Sequence, residues 1–445
     1  MQTNNKLNLF SLTMIVVGLV IGMGIFRTAA TSAKDAIAPS VYFSAWIIGG
    51  LVALCGALTY AEIGSRYPVT GGYYKVFAQA YHPSVAFAIN CLILVSNAGS
   101  LSGVALIGSG YLLKLIPGEW TDIHKAAVSC VAVLIFYLIN LRGLKMSSTA
   151  QNILMLIKIA MIVVLIGALF FPGKYAVVAE QSSSLQAAQS FSSINWIKSL
   201  GVSLIAVSFT YGGYQQTINF GQEVHEPNKN MPRGIFTGIA IIITLYLLVN
   251  LSYYKLVGFD AMKNEKEIAY VVMDKIFGTT GASIFSAFLF LGVLAYVNGL
   301  LMSNPRVMYA MGEDGSLPKP FAKKTDNGVL TFSLTVFAAL CIIILFFSQQ
   351  FEQILTFTIF LDCFGMILSA ATIFWFRKKT KNLDDTGIYK MKLFPLLPLI
   401  FMSAYLFVGT SIAIADPKAA VTGIILLAVF VLIYFLFHYN SKANA

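Results

Sequence analysis

Lys158 lies in the stretch NILMLIKIAMIVV, with apolar residues on both sides. A lysine in such surroundings must find a polar partner or reach back to water along its own methylene stem. Two other apolar stretches are interrupted in a different way. VGLVIGMGIFRTA places Gly18, Gly22 and Gly24 in its middle, and SFTYGGYQQTINFGQEVHEP sets Gly212 and Gly213 among Thr210, Tyr211, Gln215, Gln216 and Asn219. Small residues inside a membrane helix serve close helix packing, or they mark a break whose freed peptide groups bind a ligand. In the second case the first stretch would offer N–H groups at Met23, Gly24 and Ile25 to a carboxylate. Its carbonyls at Val20 and Ile21, with that of Phe209, would take an ammonium, and Gly22 would let the ligand approach the backbone. That is a site for a zwitterion such as an amino acid.

Other chemistry is absent from the sequence pattern. The four histidines, His82, His124, His225 and His438, are far apart, and no HExxH pair occurs. The cysteines Cys55, Cys91, Cys130, Cys341 and Cys363 all sit inside apolar runs, where a disulfide or a thiolate metal site is not expected. No catalytic residue, metal site or cofactor is expected.

The elements that must carry these residues follow from composition. Of 445 residues, 58% are hydrophobic and 11% charged, against roughly 25% charged in a soluble domain. Mean hydropathy is +0.77. Lipid is therefore the solvent, and a soluble enzyme is excluded. Apolar runs long enough to cross a bilayer occur about twelve times, with centres from Gly22 through Phe209 and Phe337 to Leu427. They are continuously apolar rather than alternating, so they are helices and not barrel strands. The net charge of +11 reflects basic loops on one side of a membrane, not a nucleic-acid partner. Arg66, Arg142, Lys145, Arg233, Arg306 and Arg377 fall on the side that also holds both termini, which makes that side cytoplasmic.

Several strings together resemble the amino acid–polyamine–organocation transporter superfamily, and within it the bacterial relatives of the L-type amino acid transporter light chains. IGMGIF resembles that family's first-helix GSGIF element. Ala57–Tyr74 (ALTYAEIGSRYPVTGGYY) resembles its second-helix element, and FTYGGY its sixth-helix FAYGGW. Glu223, Pro227, Pro232 and Arg233 match the loop that follows, while VNG at Val297–Gly299 and RVMYAMGEDGSLP resemble the eighth helix and its loop.

The resemblance implies an all-α polytopic membrane protein of the LeuT type. Helices 1 and 6 would be broken, residues 9–173 and 194–378 would form two inverted five-helix repeats, and residues 393–438 would add two accessory helices. It implies amino acid transport by alternating access, with Phe209 as an aromatic gate, Tyr211 and Gln215 beside the substrate, and Gly212 and Gly213 leaving room for its side chain. Lys158 would replace the cation of sodium-coupled relatives, bonding to carbonyls such as Gly18 or Leu19 and to Ser303. Met23 departs from the family's usual Ser or Ala. Arg27 also departs, and with Asn298 it would line a vestibule. The loop cysteine that attaches a heavy chain has no counterpart, so no disulfide-linked partner is expected and a monomer suffices.

Gln215, rather than a carboxylate, in the sixth stretch favours neutral L-amino acids, moved without sodium across a bacterial cytoplasmic membrane. The alternative is a proton-coupled or exchanging permease for cationic amino acids or polyamines. A membrane-embedded enzyme is a more distant one.

Overall fold

A computed structural model describes residues 6–22, 24–170, 193–265, 267–347, 351–380 and 387–443. About 85% of the described residues are helical, and among them no strand forms beyond two isolated bridges, Leu7 with Val224 and Thr70 with Phe220.

Among the described residues fifteen α-helices follow one another. The first stretch folds as α1 (Leu9–Val20) and α2 (Gly24–Asp35). Then come α3 (Pro39–Arg66), α4 (Gly72–Ala80), α5 (Pro83–Leu113), α6 (Asp122–Leu141) and α7 (Leu144–Gly167). Beyond residue 192 lie α8 (Ser193–Tyr211), α9 (Pro227–Val257), the short α10 (Phe259–Met262) and α11 (Ile268–Glu313). The chain finishes with α12 (Thr331–Phe347), α13 (Phe351–Lys379), α14 (Leu396–Ala415) and α15 (Pro417–Ala443). Proline opens α3, α5 and α9, where its missing N–H costs no intrahelical bond. The Asn8 side chain caps α1 by accepting from Ser11 N at 2.8 Å, which satisfies one of the orphan donors of the first turn. Gly278, at φ 69°, bends the long α11 near its start.

Among the described residues ten helical segments are long and apolar enough to cross a membrane, the α1–α2 pair counting as one. α12 is shorter, and α8 owes its lower hydropathy chiefly to Asn195 and Lys198 near its start. Burial separates centre from periphery. The window through α1 and α2 is 82% buried inside the protein, and that through α15 is 17% buried. The strongly apolar N-terminal stretch is thus the most enclosed of these, packed against α7, α8, α9 and α11. A helix surrounded by protein has neighbours that can satisfy a broken backbone, which lipid cannot do.

Candidate functional site

Both interrupted stretches are broken helices. α1 ends at Val20: Ile21 N still reaches Val17 O at 2.7 Å, Gly22 N turns to Val20 O at 2.7 Å, and Ile21 leaves helical geometry at ψ 84°. The helix resumes as α2 at Gly24. Met23, the residue expected to help bind a carboxylate, lies outside the described residues. α8 stops at Tyr211, Gly213 takes φ 112°, and a 3-10 segment covers Tyr214–Asn219.

The two breaks touch. A Cβ on Gly213 would lie 2.1 Å from the carbonyl oxygen of Leu19. With its positive φ, this position accepts only glycine. A Cβ on Gly24 would lie 2.9 Å from the Thr210 side chain. Across the same contact the Thr28 hydroxyl donates to Gly24 O at 2.6 Å and shares a hydrogen bond with the Thr210 hydroxyl.

Lys158 is fully buried on α7, and its ammonium donates to the carbonyl of Ile21. This corrects the expected partners. Gly18 is covered instead by the Gln151 amide, and Leu19 abuts Gly213. Ser303 bonds to the second break, accepting from Asn219 Nδ2 at 3.0 Å and donating to Gln216 Oε1 at 3.1 Å. The carbonyl of Val20 accepts from the Tyr246 hydroxyl at 3.3 Å. Both first-helix carbonyls expected to receive a ligand ammonium therefore already have protein donors.

A cavity of about 30 Å³ lies beside the second break, enough for roughly one water. Phe209, Gly212, Gly213 and Gln215 line it, as expected. The Gln215 side chain folds back to accept from Gly213 N at 2.9 Å. Tyr211 does not line it. Its ring packs on Trp46 and Tyr246, and its hydroxyl donates to Trp46 O at 3.4 Å. Val20, Ile21, Gly22, Gly24 and Ile25 are buried and do not line the cavity either. Tyr296 of α11 does, and its ring also lies against Gly22, so it connects the first break to the cavity.

The sequence reading missed Asp362, whose carboxylate lines this cavity from α13 and accepts from Ser96 Oγ at 2.7 Å. The signal was available: in FTIFLDCFGMIL a single acid stands within an apolar span.

The two vestibule residues separate. Arg27 lines a cleft of about 920 Å³, together with Tyr111, Trp120 and the ion-paired Lys114 and Glu267. Asn298 is not in a vestibule. It is fully buried in a network with Asn140 and Gln151, at 2.9 Å from each, and with Ser147 O at 3.0 Å.

At the opposite end from that cleft, ion pairs tie the helices together. Glu62 on α3 is fully buried and accepts from Arg66 Nε at 2.8 Å, from Arg377 Nε and Nη2 at 2.8 and 2.7 Å, and from Met391 N at 2.8 Å. Arg306 donates to Glu223 at 2.9 and 3.0 Å, and Lys75 pairs with Asp314 at 2.6 Å. Beside this cluster, burial raises the Tyr389 phenol above its usual range, and the Glu62 carboxylate adds to the effect.

Two membrane helices interrupted against each other, with a small polar cavity alongside, define a carrier for a small solute. The chain matches the amino acid permease family model over residues 7–437 and belongs to that family, within the amino acid–polyamine–organocation superfamily. It is similar to the serine/threonine exchanger SteT of Bacillus subtilis, 26% identical over 92% of this chain and 91% of the relative. It is also similar to the methylthioribose transporter of the same organism, 29% identical over 71% and 69%. The human cystine/glutamate transporter is 22% identical over 98% of this chain and 86% of its own length. The protein is thus a multi-pass amino acid transporter.

Proposed function

We propose that the chain carries L-amino acids across a cytoplasmic membrane by alternating access. Two inverted repeats, residues 9–173 and 194–378, move against each other, residues 393–438 form two accessory helices, and both termini face the cytoplasm. The observation that carries this reading is the direct contact of the two helix breaks at Gly213–Leu19 and Gly24–Thr210. Two interruptions in one place bring backbone outside regular helix to one point in the protein interior, the setting in which carriers of this kind bind a zwitterion. Lys158 acts in place of a sodium ion by bonding to Ile21 O.

The 30 Å³ cavity is too small for an amino acid, so substrate enters only when Tyr296 or Phe209 swings aside. Gln215 supports a neutral side chain, whereas Asp362 supports a cationic one.

Counterflow into proteoliposomes tests the proposal. Vesicles preloaded with mixed unlabelled amino acids are expected to accumulate labelled amino acid saturably in sodium-free buffer. If every amino acid in a full panel enters at the rate of protein-free vesicles, the transport reading is wrong.

A further inference from the structure

We infer that Asp362 selects the substrate, its carboxylate receiving the cationic side chain of an amino acid whose head group lies beside the second helix break. This deepens the transport reading and rests on it. Asp362 stands within the apolar α13 yet keeps accessible surface, and it lines the cavity that Gly212, Gly213 and Phe209 share. Ser96 holds one carboxylate oxygen at 2.7 Å and is itself 3.2 Å from Thr358 O, so the group is aimed rather than loose.

Charge accounting gives the chemistry of the ligand. Among the described residues no Lys, Arg or His nitrogen lies within 4.0 Å of Asp362; the ion pairs gather near the two ends of the bundle. An ionised carboxylate at membrane depth is costly until a cation meets it, and a substrate ammonium is such a cation. The same cavity presents the rings of Phe209, Tyr296 and Tyr405, whose faces attract cations. On the side of the second break, Gln216 lines the cavity, and its buried amide nitrogen has no hydrogen-bond partner. That donor suits the substrate carboxylate, which leaves Asp362, on another helix lining the same cavity, for the far end of the molecule.

Ornithine and norleucine have side chains of nearly equal length, one ending in an ammonium and the other in a methyl group. Proteoliposomes holding wild type, Asp362→Asn or Asp362→Glu are assayed by counterflow with each of these and with alanine. Wild type is expected to take up ornithine faster than norleucine. The ornithine-to-norleucine ratio is expected to fall about tenfold or more in Asp362→Asn and to recover in part in Asp362→Glu. The inference is overturned if wild type prefers norleucine, or if Asp362→Asn lowers both substrates in proportion, which would assign the carboxylate to the shared head group or to a proton. Should the variants not fold, the wild-type ratio alone decides. Uptake of none of the three, with the rest of the panel also failing, rejects transport itself; uptake of alanine or norleucine with ornithine excluded rejects only the role given to Asp362.

Discussion

Lys158 reaches the bilayer interior on α7 and ends on one peptide carbonyl, that of Ile21. The carbonyl is available because the helix stops there. Removing the ammonium while keeping the volume, as in Lys158→Met, leaves the carbonyl without its charged donor at the point where the break must hold its shape. Uptake is expected to fall at least about tenfold, while the melting temperature in detergent changes little, since a buried charge contributes weakly to stability. Normal uptake in Lys158→Met would reduce the lysine to a space-filler. The sequence marks this residue by its apolar flanks, and the same criterion marks Asp362 equally well. It could not tell which carbonyl Lys158 meets. The family resemblance implied Gly18 or Leu19, but regular geometry ends at Val20, and beyond that point residue spacing no longer converts into position.

The breaks themselves were legible, because glycines flanked by polar residues are out of place in a lipid-facing helix. Which residues around them face the cavity was only partly so. α8 remains helical through Tyr211, and two residues along a helix amount to roughly 200° of rotation. Phe209 and Tyr211 must then point to opposite sides, and only Phe209 reaches the cavity. The second-helix motif carries Glu62, but its partners Arg377 and Met391 are more than three hundred residues away in sequence. No local pattern announces that contact. It clamps α3 to α13 and to the chain entering α14, on the face assigned to the cytoplasm. In Glu62→Gln two guanidinium groups lose their buried counter-charge. Amide exchange across residues 62–66 and 387–392 is expected to speed up tenfold or more, with little change around Lys114 and Glu267 at the other end. Equal exchange in variant and wild type would show that the cluster does not hold that face shut.

For the molecule as a whole, hydropathy located helices at every expected span, including α8 and the short α12 that length alone does not qualify. Composition fixes the solvent and the solvent fixes the helices, so this level is the most readable. Which span lies at the centre is less so. The N-terminal stretch is more apolar than several spans that face lipid far more, and only its glycines hint that protein surrounds it. The tightness of that centre has an electrical consequence. Proton or ion leakage needs an unbroken file of water, and the space beside the breaks holds about one molecule, 30 Å³. Vesicles containing the unloaded protein are therefore expected to keep an imposed potassium diffusion potential as long as empty vesicles do, as a voltage-sensitive dye would report. A cell could then keep many copies in its membrane without short-circuiting the battery that drives its other pumps.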